Sequence, residues 1–341
     1  MIELSKYTKE LSNFFSTSEN ILLVCHINPD GDAVGAQLAL YHYLRSIGKD
    51  ASMISPNNLQ EFLKWMSGVE LINVYIRNKE KCNKLIAKAD LIVMLDFNQP
   101  DRLGEAEDHV IASTAKKIII DHHLNPQNFT DFVISDPTKC STSEIVYELV
   151  TILNEGHFSG RPFAEALYTG IITDTGNFEH GAYTSRTLRI VADLLDSGIE
   201  KEKILNLIYN NFSAERMRLL GFALNEKMII LPEFQTAYII LTRKDLELYS
   251  HVKGDTEGFV NMPLSINGII FSSLFIEKEG FVKLSFRSKG HFPVNEFASE
   301  YFSGGGHLNA SGGEFPGTLE CSVDFFLKTL RENFNRFNKN K

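Results

Sequence analysis

Three residues of one short loop have the types and spacing to aim at a single point: His26, Asp30 and Asp32 of HINPDGD, where Pro29 and Gly31 turn the backbone between them. Asp96 follows the apolar run ADLIVML directly, and Asp121, His122 and His123 follow KIII in the same way. Asp174 lies in the polar segment TDTGN. Gathered at one site, Asp30, Asp32, Asp96 and Asp174 with His26 and His122 would repel one another and shift their own pKa values unless cations neutralise them. Two divalent ions balance four aspartates. A mixed Asp and His set without cysteine suits Mn²⁺, Mg²⁺ or Fe²⁺ over structural zinc, with Mn²⁺ favoured. A bridged pair of such ions, roughly 3.5–4 Å apart, activates water and stabilises both the attacking and the leaving oxygen of a phosphoryl transfer.

Strand ends must deliver these groups. Ile21–Val24, Ala89–Leu95 and Lys117–Ile120 are short apolar runs, each leading into its polar residues at the C-terminal end. After HINPDGD, the stretch AVGAQLALYHYLRSIG carries apolar residues at helical spacing, so the grammar is strand, loop, helix. Continuous apolar strands alternating with helices predict an α/β fold: a mostly parallel sheet flanked by helices, with ligands outside the carboxyl ends of the strands. Ser141–Glu144, STSE, predicts a helix-opening capping box before IVYELVTILN, and Glu165–Ile172 a helix leading to Asp174. Residues 184–226 read as helices without buried strands. Beyond them TAYIILT, GIIFSSLFIE and FVKLSFRS read as strands and PVNEFASEYF as a helix. The expected organisation is a metal-binding α/β domain over 1–190, a helical connector over 191–227 and a smaller α/β domain over 228–341.

A chain of 341 residues accommodates two domains, and 43% hydrophobic with 23% charged residues is the composition of a folded protein, against disorder, collagen or coiled coil. Four scattered cysteines without a CxxC pair argue against a disulfide framework and a thiolate zinc site. No apolar run approaches the roughly 20 residues of a membrane span, so a cytoplasmic protein without membrane contact is expected. With 34 Lys+Arg against 43 Asp+Glu, the net charge of −9 speaks against a broad grip on long duplex nucleic acid and leaves a small anionic ligand, held locally.

HINPDGDAVG, LDFNQPDRLG, IIIDHHLNP and TDTGNF resemble the four N-terminal motifs of the DHH phosphoesterase superfamily, and FRSKG followed by GGGHLNASGG resembles the DHH-associated C-terminal domain. Their pairing over nearly the whole chain is similar to the superfamily's nano-RNase and 3′-phosphoadenosine 5′-phosphate phosphatase members. The resemblance implies that His26, Asp30 and Asp96 hold one manganese ion and that Asp32, Asp96, His122 and Asp174 hold the other, with Asp96 bridging. It makes His123 a catalytic or phosphate-facing neighbour of the metals, and assigns Arg287, Gly304, Gly305, Gly306 and His307 to the substrate's phosphate and nucleotide. Such residues suit an anionic ligand, since glycines let backbone N–H groups approach it closely and arginine offers a planar fork. The implied substrates are very short RNA oligonucleotides and nucleotide bisphosphates, and the implied assembly is a homodimer formed through the N-terminal domain. Two positions depart from the pattern, Ser303 where many relatives carry a further glycine and Leu308 where a basic residue often stands. Both bear on substrate preference and neither on the metals.

Plainer readings stand beside these. HINPDGD is also what tight turns are made of, a lone aspartate at a strand end also caps helices, and Asp121 can serve only to orient an imidazole. GGGH with Gly312–Gly313 reads equally as a flexible turn, and without a following GK[ST] it is no P-loop. Arg287 in a strand pattern is by default a surface residue. The functional rivals are a phosphodiesterase for cyclic or linear dinucleotides, which would use identical chemistry, and a nucleotide sensor that kept the fold without turnover.

Overall fold

Ile21–Val24 is apolar at every position because the strand it forms is buried on both faces. The computed structural model describes residues 4–154, 160–179 and 182–337. It divides into two compact units, Met1–Asn211 and Phe212–Lys341. The first holds strands β1 (Asn20–Cys25), β2 (Asp50–Ser55), β3 (Ile72–Val74), β4 (Leu91–Leu95), β5 (Lys116–Asp121) and β6 (Phe132–Ser135). Its helices are α1 (Ser5–Thr17), α2 (Gly31–Ser46), α3 (Lys79–Lys88), α4 (Glu107–Ala112), α5 (Thr142–Leu153), α6 (Arg161–Asp174), α7 (Ser185–Asp196) and α8 (Lys201–Tyr209).

The strands lie in the order β3-β2-β1-β4-β5-β6, and every pairing is parallel. Successive side chains of each central strand enter opposite cores. Ile21, Leu23, Val93, Ile118 and Ile120 pack with α1, α2 and α5 to α8, whereas Leu22, Val24, Ile92, Met94 and Ile119 pack with α3 and α4. Chain order reverses between β1 and β4, so their carboxyl ends part there and leave the crevice in which open α/β sheets take ligands. HINPDGD leaves β1 and Asp96 leaves β4 at that crevice.

The second unit opens with α9 (Ala214–Asn225), then β7 (Met228–Leu231), β8 (Thr236–Leu241), α10 (Arg243–Leu248), β9 (Phe271–Glu277), β10 (Phe281–Ser288), α11 (Val294–Tyr301), β11 (Gly305–His307), β12 (Ala310–Pro316) and α12 (Leu319–Phe337). Its sheet runs β11-β12-β10-β9-β8-β7, antiparallel except for the β8–β9 pair. The core against α11 and α12 is rich in phenylalanine, with Phe271, Phe286, Phe297 and Phe326 in mutual ring contact. The stretch 191–227, expected as a connector, is divided between the two units. The end of α7 and all of α8 bury Val191, Leu194, Ile204 and Ile208 in the first core, and α9 buries Leu219 and Ala223 in the second. Each helix has an apolar stripe that must be covered, and each finds its own sheet. Among the described residues no helix is long and apolar enough to cross a membrane.

Candidate metal centre

The loop after β1 is fixed on both sides before it offers a ligand. The Ile27 N–H donates to the Arg102 carbonyl at 2.7 Å, and Asn28, in left-handed backbone at φ 54°, exchanges two hydrogen bonds of 2.7 Å with Asn57. Asp30 then caps α2, its Oδ1 accepting from the N–H groups of Asp32 at 3.1 Å and Ala33 at 3.0 Å. Its Oδ2 faces His26 Nε2 at 3.7 Å. Turn, cap and ligand geometry therefore coexist in one motif. Asp96 also occupies left-handed backbone, at φ 68°, a conformation aspartate tolerates better than most residues.

Around Asp96 the candidate ligands fall into three overlapping groups, the ligand atoms of each lying within 4.8 Å of one another: His26–Asp30–Asp96, Asp32–His122–Asp174 and Asp96–His122–His123. Asp96 Oδ2 is 3.4 Å from His26 Nε2, and its Oδ1 is 3.6 Å from His122 Nε2. His122 Nε2 is in turn 3.4 Å from Asp174 Oδ2 and 4.0 Å from Asp32 Oδ2. The other ring nitrogens are committed: His26 Nδ1 lies 2.8 Å from the Ile27 carbonyl and His122 Nδ1 3.3 Å from that of Lys139. Each neutral ring that donates there keeps its Nε2 lone pair for a metal. His123 Nδ1 lies 2.7 Å from Asp121 Oδ1 and 3.8 Å from Asp96 Oδ1, while the fully buried Asp121 leaves Oδ2 without a hydrogen-bond partner.

Buried carboxylates dominate the electrostatics of the site. Burial raises Asp32, and Asp96 and Asp174 push it further; burial also raises Asp174, reinforced by Asp30 and Asp96. Burial works against a charged His26, yet Asp30 and Asp96 outweigh it and push the imidazole up to about 10. His122 moves up for the same reason, burial being overcome by Asp96, Asp32 and Asp121. Asp96 is held well below the carboxylate range despite burial, because His26, His123 and His122 surround it. Oxygen and imidazole donors, no thiolate and an excess of buried carboxylate fit divalent cations of the Mn²⁺ or Mg²⁺ kind.

Sequence reasoning missed the residues that hold the ligands. Thr142 and Ser143 donate their N–H groups to Asp32 Oδ2 at 2.6 Å and Oδ1 at 2.9 Å, and Thr142 Oγ1 donates to Asp96 Oδ1 at 2.8 Å. STSE forms half of the expected capping box: Ser141 Oγ accepts from the Glu144 N–H, but the Glu144 carboxylate accepts from the N–H of Cys140. The signal was a helix start placed shortly after the segment that carries Asp121, His122 and His123. Close helix contact matters too. A Cβ on Gly170 of α6 would stand 1.9 Å from Ser143 Oγ and 2.8 Å from Asp32 Oδ1.

Arg287 and the glycine run lie in the second unit, on strands of its sheet. In register, Arg287 of β10 pairs with Ala310 of β12, which pairs with His307 of β11, so the three backbones form one rung. Half-buried Arg287 donates from Nη1 to the Phe286 carbonyl at 2.9 Å. Gly304 and Gly306 are closed in by β12, where an added Cβ would stand 2.0 Å from the Gly312 carbonyl oxygen and 2.5 Å from that of Ala310. Gly305 has open space on that side. The side chain of His307 lies outside the described residues.

Residues 20–171 match the model of the DHH family, N-terminal domain, and residues 248–336 that of the DHHA1 domain. A protein of Thermus thermophilus named bifunctional oligoribonuclease and PAP phosphatase NrnA is 28% identical over 93% of this chain and 90% of its own. The crystal structure of an exopolyphosphatase-related protein from Bacteroides fragilis is similar at 41% identity and a TM-score of 0.94, covering 98% of both chains. The fold is shared more distantly with RecJ of Thermus thermophilus in complex with Mn²⁺, at 15% identity and a TM-score of 0.57 over 98% of this chain and 55% of that one.

Proposed function

The chain belongs to the DHH family of phosphoesterases, and from that premise we propose that it uses two divalent metal ions to hydrolyse very short RNA oligonucleotides to mononucleotides and to dephosphorylate 3′-phosphoadenosine 5′-phosphate. The observation that carries the two-ion reading is the position of Asp96, with one carboxylate oxygen toward His26 and the other toward His122. His26, Asp30 and Asp96 would hold one ion and Asp32, Asp96, His122 and Asp174 the other, with Mn²⁺ the ion that suits the donors. When bound, such ions stabilise charge on the phosphoryl oxygens and lower the pKa of an attacking water.

The protein's own groups supply orientation and a proton. The carbonyls of Ile27 and Lys139 turn the imidazoles of His26 and His122 toward the ions, and Thr142 and Ser143 hold Asp32 and Asp96. His123, anchored at Nδ1 by Asp121, is the side chain that would deliver a proton to the leaving oxygen. Arg287, with the Gly304–Gly306 run and His307, takes the terminal phosphate and nucleotide. The relative named as an oligoribonuclease and PAP phosphatase supports this substrate class.

A substrate panel tests the proposal. Linear dinucleotide and 3′-phosphoadenosine 5′-phosphate should be hydrolysed with Mn²⁺ and spared with chelator. Preference for a cyclic dinucleotide or for inorganic polyphosphate would overturn the substrate assignment, and binding without turnover of any of them would indicate a sensor.

A further inference from the structure

We propose that Glu144 is a positioning residue for the metal centre, coupling α7 to the segment that aims three of its ligands; this rests on the metal-centre reading above. Residues 139–143 make four hydrogen bonds to the ligand set. The Lys139 carbonyl faces His122 Nδ1, the N–H groups of Thr142 and Ser143 hold Asp32, and Thr142 Oγ1 holds Asp96. A shift of this segment therefore displaces His122, Asp32 and Asp96 together.

Glu144 is what anchors the segment to the helices behind it. It is 2% exposed, and its Oε2 accepts from the Cys140 N–H at 3.2 Å and from the hydroxyl of Thr187, on α7, at 3.1 Å. Its Oε1 faces Lys139 Nζ at 3.7 Å. Lys139 also pairs with Glu148, one helical turn along α5, and Glu148 accepts from Arg186 Nε of α7 at 3.0 Å. Two carboxylates thus balance two cations, with Glu144 the member that touches the backbone of the ligand-holding segment. Since α7 also follows Asp174 in the chain, Glu144 ties the helix after one candidate ligand to the residues that hold three others.

Glu144→Gln keeps the shape but removes a charge, leaving Lys139 and Arg186 with one carboxylate, and presents an amide N–H₂ where an acceptor is needed. Outer groups that orient ligands are typically worth about 10- to 100-fold in metal affinity. The control is Tyr147→Phe, which removes another α5–α7 tie, the 2.7 Å hydrogen bond to Asp193, and keeps the ring that lies against Arg186. Mn²⁺ titrations of full-length wild type, Glu144→Gln and Tyr147→Phe, with the melting temperature of each metal-free protein, form the test. The expected result is at least about a tenfold loss of Mn²⁺ affinity in Glu144→Gln, with Tyr147→Phe keeping wild-type affinity even where its melting temperature falls as far. Should Glu144→Gln fail to fold, Thr187→Val, which removes one anchor of the carboxylate, is expected to lose affinity in the same direction. Wild-type affinity in the Glu144 or Thr187 variant, or an equal loss in Tyr147→Phe, would overturn the inference while leaving the metal centre intact. A wild-type protein that takes up no Mn²⁺ would overturn the metal-centre reading and this inference with it.

Discussion

Loading the centre with metal should release protons, and His26 sets a lower bound on how many. In the metal-free protein Asp30 and Asp96 overcome burial and hold this imidazole up to about 10. At pH 7 the ring is then an imidazolium with both nitrogens protonated, and Nε2 can bind a metal only after losing its proton. Removing a proton from a group about three pH units above ambient costs about 4 kcal/mol, at about 1.4 kcal/mol per unit. That cost declines as pH rises toward 10, so the apparent affinity should climb about tenfold per pH unit for each proton displaced. His122 is shifted in the same direction, and the raised Asp32 and Asp174 add to the effect with the same sign. Calorimetric titration with Mn²⁺ in buffers of different ionisation heat counts the protons directly. At least one should be released per protein at pH 7, with affinity rising between pH 6 and 8. A heat of binding independent of buffer, with affinity flat over that range, would refute the protonation of the metal-free ligand set and its linkage to metal binding.

Two substitutions probe the scaffold and the substrate side. Gly170→Ala should destabilise the protein by about 1–3 kcal/mol through overpacking and also weaken Mn²⁺ binding, because the added methyl meets Ser143 and Asp32; thermal melting with a metal titration checks both, and unchanged metal affinity would show that Asp32 is not displaced. Arg287→Ala should raise KM for short RNA by about tenfold to a hundredfold, the value of a charge-assisted hydrogen bond of about 1.5–3 kcal/mol, while kcat and Mn²⁺ affinity hold; steady-state kinetics would expose a purely structural Arg287 by an unchanged KM.

What could be read from the sequence follows burial. β1 and β4 announce themselves because both faces are covered and nearly every position is apolar, and β5 through its buried run Ile118–Ile120. The flanking strands did not: β3 has three residues, β6 has four, and β2 starts at exposed Asp50. The glycine run hid strands for another reason. Gly304 and Gly306 lack side chains because β12 passes too close for a Cβ, and a strand built on such positions shows no alternation. At the site, His26, Asp30, Asp32, Asp96, His122 and Asp174 were legible as charged groups standing where apolar runs, turns or helices end. Thr142, Ser143 and the Lys139 carbonyl were not, since a helix start and a backbone oxygen carry no chemical mark of what they face. Glu144 was visible as a capping residue, and only the fold gives it Cys140 and Thr187 as partners.

The most direct test of the proposed activity is product analysis of an end-labelled RNA ladder from two to about twenty nucleotides, run with Mn²⁺ and with chelator, for wild type and for Asp96→Asn. Selective loss of the shortest species to mononucleotides, in wild type with metal alone, is the predicted result. Persistence of every length in protein shown to hold Mn²⁺, or metal-dependent turnover undiminished in Asp96→Asn, would contradict it.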